Sequence, residues 1–153
     1  MSPTIVRRAV AAASVLVLFA CRSESTTGPD VVGRVFFLEQ ANAAPLPLLV
    51  LASPSDRRSL LAENLTFDSF STLTLVTTIR IDKPLTGSST TTANRVTRQY
   101  RITGDSIEIG SFTPCPPNSG CVANDKGTIT DGNIYLSSFR FSNRLSLIFR
   151  RIE

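Results

Sequence analysis

Three cysteines, twelve carboxylates and a complete lack of histidine set the range of chemistry open to this 153-residue chain. Without histidine there is no Ser-His-Asp or Cys-His nucleophile, no His-based metalloprotease site and no haem held through an imidazole. Three cysteines do not complete a zinc or iron–sulfur site by themselves. General acid–base work would need carboxylates brought together by the fold, with Glu63, Asp68, Glu108 and Asp131 as the candidates, and nothing in their spacing pairs any two. Asp82, Asp105, Asp125 and Asp131 fall at apparent turns, where aspartate commonly serves the backbone. Glu39 and Glu108 interrupt strand-like stretches, and either would have a raised pKa if it faced inward unpaired. There is no Rossmann glycine pattern, P-loop or calcium loop. No catalytic, cofactor-binding or metal-binding residue is therefore assigned, and the expectation is a protein that is not an enzyme.

The first cysteine has a different context. Residues 1–21 read MSPTIVRRAVAAASVLVLFAC: Arg7 and Arg8 are followed by an apolar run from Ala9 to Ala20, interrupted only by Ser14. The run is too short to span a bilayer comfortably and matches the apolar region of an export signal. Leu18, Phe19, Ala20 and Cys21 resemble the processing box of a bacterial lipoprotein. That resemblance implies cleavage before Cys21 and acylation of its thiol, and two or three acyl chains suffice to hold a protein at a membrane. It divides the chain into a signal peptide (1–20), a lipidated Cys21 with a tether (21–30) and one domain (31–153). In proteobacterial relatives an Asp after the cysteine favours inner-membrane retention. Arg22 stands there instead, so the expected location is the cell envelope, at the outer membrane, with the domain outside the cytoplasm. The tether contains SESTTGPD (Ser23 to Asp30), which reaches at most about 28 Å.

Loss of Arg7 and Arg8 would leave 14 basic residues against 12 acidic ones. Such a balance argues against an electrostatic nucleic-acid binder. If Cys21 carries lipid, Cys115 and Cys121 remain, in the segment CPPNSGC. In an oxidising compartment a disulfide between them is the default, pinning a loop tip between two strands. A redox pair, or free or interchain thiols, are the alternatives, although the spacing matches no redox motif.

From Val31 onward the pattern is β. Leu73, Leu75, Thr77, Ile79 and Ile81 alternate with Thr72, Thr74, Thr78 and Arg80. Val96, Arg98, Tyr100 and Ile102 repeat the period. Gly104-Asp105 and Asp131-Gly132 mark hairpins. Residues Ser55 to Asn64 are the best helix candidate, or else a turn followed by a strand from Leu60 to Phe67. The Thr- and Ser-rich stretch Leu85 to Asn94 reads as an exposed, mobile loop. Eight or nine hairpin-linked strands make an all-β, antiparallel up-and-down, eight-stranded barrel, with a β-sandwich as the alternative. The inward row expected of the barrel is Leu73, Leu75, Ile79, Tyr100, Ile102, Ile107, Ile109, Ile129, Ile134, Leu136, Leu147 and Phe149. An outer-membrane pore is disfavoured, because its inner rows would be polar.

VVGRVFFLEQANAAPLPLLV resembles the opening of small bacterial lipocalin-like lipoprotein domains. YRITGDSIEIGS and GTITDGNIYL resemble their hairpins, and LSLIFRR their closing strand. The resemblance implies a lipocalin-like barrel and no particular activity. Two roles follow as expectations. One is an envelope protein that acts through surface interactions with another envelope protein. The other is a carrier of a small apolar ligand in the barrel interior, with Phe36, Phe67, Tyr100, Phe139 and Phe149 among the residues able to line a cavity. The membrane is reached through the N-terminal lipid; nucleic acid and cofactors are not expected.

Overall fold

Strands with one apolar face must bury that face, and here they do so by curling the sheet onto itself. The structure is a computed structural model that describes residues 29–114, 123–140 and 143–152. Its strands are β1 (Val35–Ala41), β2 (Ala44–Pro45), β3 (Leu48–Ala52), β4 (Arg57–Phe67), β5 (Thr72–Lys83), β6 (Ser88–Thr103), β7 (Ser106–Gly110), β8 (Asp125–Thr130), β9 (Asn133–Arg140) and β10 (Asn143–Arg151). From β4 to β10 each strand pairs antiparallel with the next. β1 closes the ring: Phe36 and Phe37 face Arg151 and Arg150 of β10, and the same stretch of β1, Val35 to Phe37, pairs with Thr66 to Asn64 of β4. The result is an eight-stranded antiparallel barrel, not a sandwich.

The two remaining strands fill a wedge. Beyond Phe37, β1 and β4 splay apart; β2 pairs with the end of β1 (Ala41↔Ala44), and β3 with the start of β4 (Ala52↔Arg57). The turns after β4, β6 and β8 lie at one end, the base. The chain enters there too, with the Gly33 N–H donating to the Phe67 carbonyl at 2.8 Å. The turns after β1 and β5 and the ends of β7 and β9 lie at the opposite end, the mouth.

The base is packed. Phe36, Phe67 and Tyr100 form an edge-to-face chain, with centroids 5.5 and 4.8 Å apart. Leu73, Ile107, Ile134, Leu147 and Phe149 surround them, and Val31 is buried at the chain's entry. The Tyr100 hydroxyl donates to the Ser69 carbonyl at 2.6 Å, so even this buried polar tip is paired. All of the inward row expected from the sequence faces this interior. Ile79 and Ile102 are only half-buried.

Two local expectations need correction. Ser55 to Asn64 forms no helix; the alternative of a turn followed by a strand holds, with β4 beginning at Arg57, ahead of the expected Leu60, and continuing to Phe67. Hydrogen bonding to β3 and β5 on its two sides overrides any local helical tendency, and a bulge between Leu60 and Ala62 adjusts its phase. Leu85 to Asn94 is not a loop throughout either. Residues 88–94 belong to β6 and pair in unbroken register with β5, from Lys83↔Ser88 to Thr77↔Asn94. β-Branched threonine suits a strand, and the segment is polar because it forms an arm exposed to solvent.

Turn chemistry fixes the registers. Asp131 and Gly132 both have positive φ (52° and 73°), as a two-residue hairpin turn requires. Asn42 and Ala43 do the same (53° and 59°). Alanine carries a steric penalty there that glycine lacks, so Ala43→Gly is expected to raise stability by about 1 kcal/mol in urea denaturation. Gly127, between Ile107 and Leu136, meets the opposite demand: a Cβ would stand 1.8 Å from the Tyr135 carbonyl oxygen. Gly127→Ala must push β8 and β9 apart, and the same measurement should show a loss of about 2–4 kcal/mol.

Candidate binding cavity

The aromatic filling stops partway up the barrel. Above it, at the mouth, lies a cavity of about 470 Å³. Leu65 of β4, Leu75 and Ile79 of β5, Val96 of β6 and Ile109 of β7 provide its apolar lining. Thr77, Asn94, Arg98, Ser111, Asp125 and Arg140 add polar groups. The wall is low on one side. β7 ends at Gly110, opposite Gln99, while β6 runs on toward Ser88; among the described residues, 88–98 of β6 pair only with β5.

Charges stand inside the barrel because strand phase puts them there. Glu63 shares a face with Leu65 and Phe67, Asp125 with Gly127 and Ile129, and Arg140 with Ser138, Leu136 and Ile134. The Arg140 guanidinium bridges the two carboxylates. One nitrogen donates to Glu63 and the other to Asp125 Oδ2 at 2.8 Å. Thr77 Oγ1 donates to the second Glu63 oxygen at 2.9 Å. The Glu63 side chain is only 1% exposed. Its burial raises the carboxyl pKa, and the Arg140 charge and the hydrogen bonds from Thr77 and Arg140 offset only part of that rise. Burial works against the Arg140 charge, but Glu63 and Asp125 outweigh it and raise the Arg140 pKa, so the guanidinium stays charged.

Of the aromatic residues expected to line a cavity, Phe36, Phe67, Tyr100 and Phe149 lie packed in the base. Phe139 contributes to the lining at the end of β9 and is 58% exposed. Cys21, Cys115 and Cys121 lie outside the described residues. Among the four carboxylates raised as acid–base candidates, only Glu63 reaches the interior. Asp68 accepts a hydrogen bond from Thr74 at 2.8 Å, and Asp131 sits in its turn. Glu108 points outward to Arg101 and, at 3.8 Å, to Lys126, and Glu39 pairs with Arg150. Among the described residues, no three Cys, Asp or Glu side chains converge as metal ligands would. Asp125, expected at a turn, instead opens β8 and pairs with Arg140; neither Arg98, named only in a period-two row, nor Arg140 was expected at a site, yet each of the three is in period-two phase with buried neighbours, which was the available signal.

The buried carboxylate has a pH signature. The folded protein holds the Glu63 proton more tightly than the unfolded chain. Its contribution to stability is therefore greatest below the ordinary value of 4.5 and is lost as pH rises through the raised folded value. In urea denaturation from about pH 4.5 upward, the wild type should lose stability relative to Glu63→Gln, by at most about 1.4 kcal/mol per pH unit. Parallel profiles would show that the carboxyl titrates as it does in the unfolded chain.

No family model, no curated protein and no solved structure matches this chain.

Proposed function

We propose that this is a non-enzymatic, lipid-anchored protein of the bacterial cell envelope, lipocalin-like in its barrel, that holds a small, largely apolar ligand at the barrel mouth. The observation that carries this reading is the division of the interior: the base is filled with side chains, while the mouth keeps about 470 Å³ with an apolar lining. That volume is in the range of small-molecule sites. A binding role is favoured over a catalytic one because Glu63 and Asp125 both engage Arg140, which leaves neither as a free acid or base.

Lipidation at Cys21 fits the direction of the barrel. The described chain begins at the base, so an anchor eight residues before Pro29 would hold the base toward the membrane and turn the mouth away from it. A ligand would then enter from the aqueous side. A second reading, interaction with another envelope protein, is supported by the β5–β6 arm, where the exposed Ser/Thr-rich edge of β6 has no strand partner beyond β5 among the described residues.

Native mass spectrometry of the full chain, gently extracted from a lipoprotein-processing bacterial host, tests the proposal. The expected mass is that of the chain from Cys21 plus acyl groups, with a dissociable adduct of a few hundred daltons. An uncleaved or unacylated chain would remove the anchor. An acylated protein that takes up no apolar small molecule on titration would remove the carrier role and leave the surface-interaction reading.

A further inference from the structure

The cavity contains two arginines in very different electrostatic situations. Arg140 is held between two carboxylates, Glu63 and Asp125. Arg98 projects from β6 on the inward face shared with Val96 and Tyr100, lines the cavity, and is half-buried. It has no acidic partner among the described residues. The other carboxylates near the barrel wall are occupied elsewhere: Glu108 by Arg101, Asp82 by Arg80, Asp56 by Arg58 and Glu39 by Arg150. The sequences 115–122 and 141–142, which follow the mouth ends of β7 and β9, contain no Asp or Glu. Asn94, four residues before Arg98 on the same face of β6, adds an amide with no hydrogen-bond partner among the described residues.

A charged guanidinium in a cup with low-dielectric walls attracts an anion more strongly than one on an open surface. Its planar fork matches the two oxygens of a carboxylate. The two guanidiniums and two carboxylates of the cup sum to zero, but both carboxylates are held by Arg140, which leaves Arg98 as the cation that a single carboxylate can pair. Leu65, Leu75, Ile79 and Ile109 lie beside this cation and offer an apolar body its surroundings. We propose that the ligand of this cup is a monocarboxylate with an apolar body, its carboxylate held by Arg98 with Asn94 beside it and its apolar part against the leucine and isoleucine lining. The inference rests on the reading of the barrel as a ligand cup.

The test is calorimetric titration of the full chain in phosphatidylcholine nanodiscs, with protein-free nanodiscs as the reference. The probes are octanoate, octyl phosphate, octanol and octylammonium. Octanoate is expected to bind about tenfold or more tighter than octanol, as a charge-assisted hydrogen-bonded pair allows, and tightest of the four. Arg98→Gln should erase that margin, while Arg95→Gln, at an exposed position on the outer face of the same strand, should leave it intact. Equal binding of octanoate and octanol to the wild type, tighter binding of octylammonium or octyl phosphate, or a margin that survives Arg98→Gln would each overturn the inference while leaving the cup in place. Binding of none of the four would overturn the cup reading together with it. Because the wild-type probe series decides by itself, the test does not depend on the variant folding.

Discussion

The interior of an eight-stranded barrel is about as wide as the side chains that can fill it. That limit governs everything else in this protein. Each inward position must carry either a residue large enough to meet its neighbours across the axis or a polar group whose needs are met inside. The base takes the first course, with Phe36, Phe67 and Tyr100 stacked edge to face. The mouth takes the second: its inward positions pass from aromatic to aliphatic, and then to Thr77, Asn94, Asp125 and Arg140. The cavity exists because the large residues stop, and its shape follows from where β7 stops short of β6.

The bridge from Glu63 through Arg140 to Asp125 ties β4 to β9 and β8, strands that do not pair with β4. Charges taken out of water are costly, and a buried bridge is weak evidence for stability in itself. What it supplies here is definition. It fixes the wall at the mouth, where no aromatic plug does so among the described residues, and it sets two carboxylates around one guanidinium. Against that background Arg98 stands out by contrast: the same kind of side chain lines the same space without a carboxylate.

Much of the fold was legible because period-two alternation and turn dipeptides are local signals. Asp131-Gly132 and Gly104-Asp105 announced their hairpins, and the apolar row from Leu73 to Phe149 identified the inward face. Two stretches were harder to read, because local composition spoke against the tertiary outcome. Ser55 to Asn64 carries good helix formers, and only pairing with strands on both sides makes it β4. Residues 88–94 look like a linker because they are small and polar, yet β5 supplies a partner for each of them. The site was less legible. Glu63, Arg98 and Arg140 are each in phase with core residues, but which strands face each other across the barrel is not written in any local pattern. The aromatic residues that drew attention as cavity walls are large enough to close the space they face, and four of them do so.

The position of β1 has a consequence for how the chain reaches this state. Its partners in the ring are β4, which follows closely, and β10, more than a hundred residues later. The ring can be sealed only when β10 is present, so a chain that has not reached β10 has hairpins to form but no closed interior to protect. Contacts between the two ends of a sequence form slowly, because a long loop must close before they reward it. A chain built this way stays open until β10 has been made, which is the condition under which a polypeptide can still be threaded through a narrow channel.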